Sequence, residues 1–423
     1  MKTTPILSKR SPLRWGWPWL TGSLVVLLTL TAKADTTIEA QALSVASTWR
    51  LPVEVKAVWF ALSPDSGSLA LMRTNGDVEI WNTASRQPQR KIAAPTRPPN
   101  WFFGHSLAFS PDGQWLAILN GGPLRLVPLA GATNELVIGD ARDSYMSMKF
   151  SADSRRLLVS GRTEYVVSLP EGKPVGSFHT VSPGVAGPPV LRPLSQFGQP
   201  SRPIRSFTSA LSPDGSEVAL GQKHWEVERW DVATGQCLGF VSLRVPGLPQ
   251  FQNPVSVLNY SSCSKQLVAV LDGNQWDVVI VEPDGKWQTL LHQTPLGQKQ
   301  TSPRRAINDA FFTPDGREVV VLAEKLDLGN SPQLPFAKSV GAEVQFLDTA
   351  TGKVTRLLES TQACFFSQAW ISADGQRLTV LQRIYSMVPR THAERQGPHL
   401  YQADLAAALL TVSLEHQPKA GDP

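Results

Sequence analysis

The chain is predicted to be all-β and built from seven copies of one four-stranded unit, on three observations. A strand-like apolar stretch runs seven times into Ser-Pro-Asp-Gly or a relative of it: Ser63-Pro64-Asp65, Ser110-Pro111-Asp112-Gly113, Ser151-Ala152-Asp153, Ser212-Pro213-Asp214-Gly215, Ser261-Ser262-Cys263, Thr313-Pro314-Asp315-Gly316 and Ser372-Ala373-Asp374-Gly375. These anchors stand 41 to 61 residues apart, near the roughly 40–50-residue period of four-stranded repeat units. Each copy also has the same internal grammar, clearest in the fourth: Phe207 to Leu211, the turn Ser212 to Gly215, Val218 to Leu220, Val227 to Asp231, the turn Ala233-Thr234-Gly235, then Cys237 to Leu243. Proline presets φ at a turn's second position, Asp bonds its own downstream backbone and Gly accepts positive φ, so Pro-Asp-Gly reverses a strand tightly. One such sheet cannot bury its faces, whereas blades stacked in a ring bury both and leave only short edges. The expected architecture is therefore a seven-bladed β-propeller of four-stranded antiparallel blades within residues 35–414, running from about Leu43 to Leu414.

In chain order, the first element is a leader. Lys9, Arg10 and Arg14 precede an apolar run from Trp15 to Ala32, and Ala32-Lys33-Ala34 stands before Asp35. Basic region, apolar core and Ala-x-Ala site are the order of a secretory signal peptide over residues 1–34, cleaved after Ala34. An uncleaved anchor is the alternative, since the run approaches the about 18 residues a span needs; both readings place the propeller in the periplasm or outside the cell. No twin-Arg pair precedes the run and no Cys follows it, which disfavours folded twin-Arg export and bacterial lipidation. The leader holds five cations (Lys2, Lys9, Arg10, Arg14, Lys33) and no acid, so the 40 Lys and Arg and 35 Asp and Glu of the whole chain leave residues 35–423 neutral. The basic pI is a property of the leader and argues for no nucleic-acid partner.

Ring closure is left open by the sequence. Leu43 to Leu51 reads as an outer strand preceding the first anchored one, yet the last repeat also holds strand-like sequence through Leu409 to Leu414. Residues 415–423 are expected to be a disordered tail and the propeller a monomer.

The Phe/Leu-Ser-Pro-Asp-Gly turn, with Ile80-Trp81-Asn82 and Arg229-Trp230-Asp231 at the place of a terminal Trp-Asp, resembles the WD40-like propeller family, as a divergent exported bacterial relative. Only His105, in Gly104-His105, matches that family's Gly-His pair, so most blades are expected to lack its buried His and Asp network. The resemblance implies fold rather than activity, because propellers host binding, scaffolding and catalysis alike.

Catalytic signals are sparse. The seven histidines are at least seven residues apart, no zinc spacing or carboxylate-rich Ca²⁺ loop is present, and the Gly-x-Ser-x-Gly elbow is missing. Asp348-Thr349-Ala350-Thr351-Gly352-Lys353 faintly resembles the docking motif of quinoprotein propellers, lacks its closing Trp, and reads better as a turn between strands. No metal or cofactor is expected. Cys237 and Cys263 fall toward one face of neighbouring blades, where an exported protein can bridge them or keep two thiols; Cys364 is expected to stay free. Trp59, Trp115, Trp230 and Trp370 belong to strands, whereas Trp101, Trp225 and Trp276 fall in loops.

Binding is the better-supported class. Connections between a blade's second and third strands, and between blades, emerge on one face, and all the long insertions belong to it: about Ala93 to His105, Thr180 to Arg205, Arg244 to Pro254, Gln293 to Ala306, Glu324 to Ala342 and Arg383 to Pro398. Loops longer than the fold needs tend to be functional or disordered. These six carry thirteen cations against three acids, interleaved with Trp101, Phe102, Phe103, Phe197, Phe251 and Phe336, and Arg with aromatics is the composition interfaces favour. The expected binding residues are Arg97, Trp101, Arg192, Arg202, Arg205, Arg244, Phe251, Arg304, Arg305, Arg390 and Arg395, and the expected partner is a protein or an anionic envelope component. Two other readings compete: a lactonase-like or quinoprotein-like enzyme with carboxylates at the channel mouth, and a Tol-system-like accessory propeller that takes a partner's disordered peptide in the channel. Three or more acids or histidines turned into the channel mouth would favour the enzyme, and an apolar plug would favour a scaffold.

Overall fold

The computed structural model describes residues 40–52, 57–94, 105–120, 122–130, 134–139, 145, 147–161, 164–178, 208–222, 225–243, 254–271, 277–292, 304–327, 338–362, 364–384 and 406–414, with backbone alone at 57, 58, 105, 304, 327, 338 and 406. The leader and the tail lie outside the described residues. Among those described there is no helix, and none is long and apolar enough to cross a membrane.

Seven antiparallel sheets form the blades. Blades 1 to 6 are continuous in sequence, over residues 57–92, 105–138, 147–178, 208–242, 255–291 and 304–360. Blade 7 takes three strands from the C-terminal end of the chain, Cys364–Ile371, Arg377–Ile384 and Ala406–Ser413, and its outer strand, Val45–Arg50, from the N-terminal end. Leu409 to Ser413 thus belongs to the third strand of blade 7, with Leu414 just beyond it, and the N-terminal strand closes the ring. Just before it, Gln41–Ala42 lies parallel on the outer strand of blade 6, making that sheet five-stranded, and the Leu43 N–H donates to Leu357 O at 2.7 Å.

The core is divided as the repeats require. Alternating strand residues point to opposite faces of a blade, and buried side chains from facing blades meet in seven separate clusters, one at each interblade interface. The closing interface joins Trp49 and Leu51 of the N-terminal strand and Leu381 and Leu409 of blade 7 to Phe60, Leu69, Leu71 and Trp81 of blade 1, with the rings of Trp49 and Trp81 6.2 Å apart. Burying such a side chain is worth about 1.5–3 kcal/mol, so the ring is closed by apolar area as well as by strand pairing.

The repeated turn is a hydrogen-bonded clasp. In blade 4 the buried Ser212 Oγ donates to Asp214 Oδ1 at 2.6 Å and accepts from the Glu217 N–H at 2.8 Å, while Asp214 Oδ1 accepts from the Ser216 N–H at 3.0 Å. The same three bonds recur at Ser63–Asp65, Ser110–Asp112, Ser151–Asp153, Thr313–Asp315 and Ser372–Asp374. Blade 5 departs from the pattern: Cys263 Sγ stands 3.3 Å from Ser261 Oγ where the carboxylate would be. The thiols of Cys237, Cys263 and Cys364 are all free, so the two open alternatives for Cys237 and Cys263 resolve to separate thiols. The Asp348 segment is a turn joining strands Lys338–Asp348 and Val354–Ser360, with Asp348 Oδ1 accepting from Thr351 N and Oγ1.

Candidate functional site

Two regions concentrate polar chemistry, the face that bears the long connections and the wall of the central channel. Strand ends fix the first. Segments 93–104, 179–207, 243–254 and 292–303 each lead from an outer strand to the next blade's innermost strand, and 328–337 and 385–405 join second to third strands in blades 6 and 7. In antiparallel blades these ends share one face, as the sequence predicts.

The strands of blade 6 reach further into this face than the sequence reading allowed. Arg304 and Arg305 begin the innermost strand, Lys325 ends the second and Lys338 opens the third; in blade 7, Arg383 lies in the strand Arg377–Ile384. Five of the thirteen cations assigned to loops are therefore strand residues, and two of the three acids, Glu324 and Asp327, are too. A nine- to eleven-residue hairpin is longer than the other blades' strands, a difference that alternating polar and apolar residues do not announce.

Arg305 has an assigned task. Its Nε donates to Oε1 of Glu343, which is 1% exposed, and Lys325 Nζ stands 3.2 Å from the second oxygen of Glu343 and 2.5 Å from Glu359. In register, Arg305 faces Lys325 and Glu343 faces Glu359 across neighbouring strands, so like charges sit opposite one another and each requires its diagonal counter-ion. Burial opposes the Lys325 charge, but Glu359 and Glu343 hold its pKa above the ordinary lysine range. Similar compensation recurs around the ring. Buried Glu79 pairs with Arg73 at 2.9 Å and accepts from Trp81 Nε1 at 3.0 Å, buried Glu228 accepts from Trp230 Nε1 at 3.1 Å, and buried Asp277 stands 3.1 Å from His292. Third strands of several blades thus carry buried acids that have side-chain partners at this end of the blade. Arg97, Trp101, Arg192, Arg202, Arg205, Arg244, Phe251, Arg390 and Arg395 lie outside the described residues, and for Arg304 only the backbone is described.

The channel wall is polar in a way the sequence did not signal. Lys149, on the innermost strand of blade 3, reaches past blade 4 to blade 5, where its Nζ donates to Leu258 O and Asn259 Oδ1, both at 2.7 Å. Asn259 Nδ2 in turn donates to Ala310 O at 2.8 Å and Asp309 Oδ1 at 3.3 Å in blade 6, and Asn308 Nδ2 donates to Phe366 O in blade 7 at 3.3 Å. Enclosure by the ring pushes the Lys149 amine down to about 8, against the pull of Asp309, and pushes the Asp309 carboxyl up, against the pull of Lys149. The three side chains retain partial exposure because they border the channel. Among the described residues this network brings one acid, one lysine and two asparagines together, which is not an apolar plug. Among the described residues no group of three or more His, Cys, Asp or Glu could hold a metal ion.

Trp115, Trp230 and the loop-assigned Trp225 are buried between blades, while Trp59 is 38% exposed. On the opposite face, the clasp turns of blades 2 to 6 are tied together. Asp112 N–H donates to Ser154 Oγ, Ala152 N–H to Pro213 O and Ser262 Oγ to Pro314 O, and Lys265 stands 2.5 Å from Glu217. Between blades 1 and 2 an open cleft of about 450 Å³ is lined by Pro64, Asp65, Ile80, Arg90, Phe109 and Asp112.

The class these features define is a closed seven-bladed β-propeller whose long connections share one face. No family model and no curated protein matches the chain.

Proposed function

We propose that this chain is an exported, non-enzymatic propeller that binds a protein or an anionic envelope component through the face bearing its long connections. One observation carries the reading: the charge excess survives the removal of strand residues from the count. Segments 93–104, 179–207, 243–254, 292–303, 328–337 and 385–405 hold Arg97, Arg192, Arg202, Arg205, Arg244, Lys299, Arg390 and Arg395 against Glu394 and Asp404. Three of the buried acids beneath this face, Glu79, Glu343 and Asp277, have Arg73, Arg305, Lys325 and His292 beside them. A rigid ring that presents Arg and aromatic side chains on tethered segments steers an acidic partner and holds it with little reorganisation of the scaffold.

The test is capture from envelope extract with mass spectrometry of what co-elutes. Replacing Arg202, Arg205, Arg390 and Arg395 together by Glu should abolish capture of the partner at unchanged stability, and an equal number of reversals on the clasp-turn face should not. Equal capture by both variants refutes the reading. A second reading, a ligand or reaction at the channel, draws on Lys149, Asn259 and Asp309. It requires Lys149→Met to remove binding or turnover while capture by the loop face persists.

A further inference from the structure

A β-sheet's outer edge leaves a row of N–H and C=O groups unpaired, and proteins shield such edges with charge, proline, shortness or a covering segment. Six blades here show a device of that kind or a polar edge. The outer strand of blade 1 carries Pro88, Arg90 and Lys91, and that of blade 2 is only Leu136–Ile138. Blade 3 begins its edge with Pro174, and blade 6 is covered by Gln41–Ala42. On blade 5, Gln288 and Thr289 are exposed and Gln288 is tied to Thr349 O of blade 6; on blade 7, Ser47, Thr48 and Arg50 are exposed.

Blade 4 has none of these. Its outer strand, Cys237–Ser242, is Cys-Leu-Gly-Phe-Val-Ser, without charge or proline, and Leu238 and Phe240 are 53% and 60% exposed. Leu243 N–H bonds inward to Trp225 O at 2.8 Å, so by antiparallel alternation Phe240 and Ser242 turn their N–H and C=O groups to the free side. A Cβ built on Gly239, at φ 156°, would meet nothing within 4 Å, so the backbone there is open to close approach. The bulge opposite Arg229 and Trp230 does not set blade 4 apart, since blades 1, 3, 5 and 6 have one too.

We propose that this edge is a self-association site, at which a second copy of the chain pairs antiparallel along Cys237–Ser242 about a twofold axis near Gly239. A second copy is favoured over a foreign segment for two reasons. An uncharged strand has no like charge to repel its own image, and preventing self-pairing is what shielding on the other edges accomplishes. Antiparallel pairing about Gly239 also sets Leu238 against Phe240 of the other copy and brings two residues without side chains together at the axis, where a closed twofold contact is isologous. Blade 6 shows that an outer edge in this fold accepts an added strand. A six-residue edge falls short of the ~1,000 Å² that a stable interface needs, so the dimer is weak and concentration-dependent.

Sedimentation velocity of the full chain over roughly 5–300 µM, the range where a small interface responds to concentration, should show a rising dimer fraction. Phe240→Lys and Leu238→Lys should each weaken it at least about tenfold, as loss of a central apolar anchor does, whereas Val137→Lys, at an equally exposed apolar residue on the short edge of blade 2, should not. Circular dichroism and unfolding midpoints report whether the variants fold, and Phe240→Ser provides a neutral version should either lysine variant unfold. A wild-type chain that stays monomeric throughout overturns the proposal and leaves the edge to a foreign extended segment. Dimerisation that persists in the folded edge variants overturns it as well, by placing the contact elsewhere.

Discussion

Replacing Arg305 by Glu should destabilise the propeller, although the sequence places Arg305 among exposed loop cations. The new carboxylate would stand beside Glu343, which is 1% exposed and loses one of its two cationic partners. Two like charges about 4 Å apart repel by about 4 kcal/mol at an effective dielectric constant near 20. Removing one partner of a buried pair is worth about 3–5 kcal/mol when nothing remains. Two features reduce that: Lys325 stays 3.2 Å from Glu343, and the Arg305 side chain is 36% exposed, so water screens part of the repulsion. The expected loss is about 2–4 kcal/mol for Arg305→Glu and about 1–2 kcal/mol for Arg305→Ala. Urea unfolding followed by tryptophan fluorescence measures both. A second change, Glu343→Gln, should restore most of what Arg305→Glu loses, because the repelling charge is gone while Gln345 Nε2 keeps a carbonyl acceptor in place of Glu343 Oε1. If Arg305→Glu unfolds within about 0.5 kcal/mol of wild type, the range of an ordinary surface change, then Glu343 does not depend on it and Arg305 rejoins the cations of the proposed binding face.

Lys149 gives a signature in pH. Its folded pKa of about 8 lies below the unfolded value near 10.4, so between those values the unfolded chain binds more protons and stability should rise with pH. Asp309 acts oppositely at its own, more acidic window: its raised folded pKa makes stability fall as pH climbs above the ordinary carboxylate range. Lys149→Met should flatten the alkaline rise in unfolding midpoints measured from pH 7.5 to 10.5, and an unchanged slope refutes the assignment. Ser212→Ala removes the hydroxyl that bridges Asp214 and the Glu217 N–H, and should lower stability by about 1–3 kcal/mol in urea unfolding. Conversely, Cys263→Asp restores the clasp that blade 5 lacks; it should raise stability by about 0.5–1 kcal/mol and remove the exposed thiol from titration with a disulfide reagent, leaving buried Cys364 silent until the chain unfolds.

The ring was legible in the sequence because its cause is local and repeated. Ser, Asp and a following N–H close each turn within five residues, so the same short motif recurs wherever the same backbone path does, and seven copies fix the number of blades. Closure was not legible, since Val45–Arg50 and Ala406–Ser413 both read as strands and only their pairing with each other reveals which is third and which is outermost. The extended hairpin of blade 6 was hidden for a related reason: Arg305, Lys325 and Glu343 look like loop charges until cross-strand pairing shows that they neutralise one another. Lys149, Asn259 and Asp309 carry no sequence signal, because each is a single polar residue in its own strand, 50 to 160 residues from the others, and only the ring brings them together. The one available clue was that, two residues before the turn, Lys149 and Asn259 stand where the other repeats carry Ala61, Ala108, Ala210, Phe311 and Trp370; Asp309 has no such contrast, since Ser106, Thr208 and Gln368 hold its position elsewhere.

Charge in this propeller divides into two populations with different physics. Arg73, Arg305 and Lys325 sit on strands and answer buried carboxylates; their contributions are short-ranged, little affected by salt, and expressed as stability. The cations on segments 179–207 and 385–405 are those the proposed binding draws on, and across solvent an effect on an acidic partner falls off within a Debye length of about 8 Å at physiological salt. If the proposed binding holds, added salt should slow association of a partner at the loop face while leaving unfolding midpoints nearly constant, since folding draws on the paired strand charges. Stopped-flow association and urea unfolding, run on one preparation from low to high salt, separate the two. Parallel loss of both rate and stability would mean that the loop cations also hold the ring together, and that the face they form is part of the fold's own electrostatics instead of a surface kept for a partner.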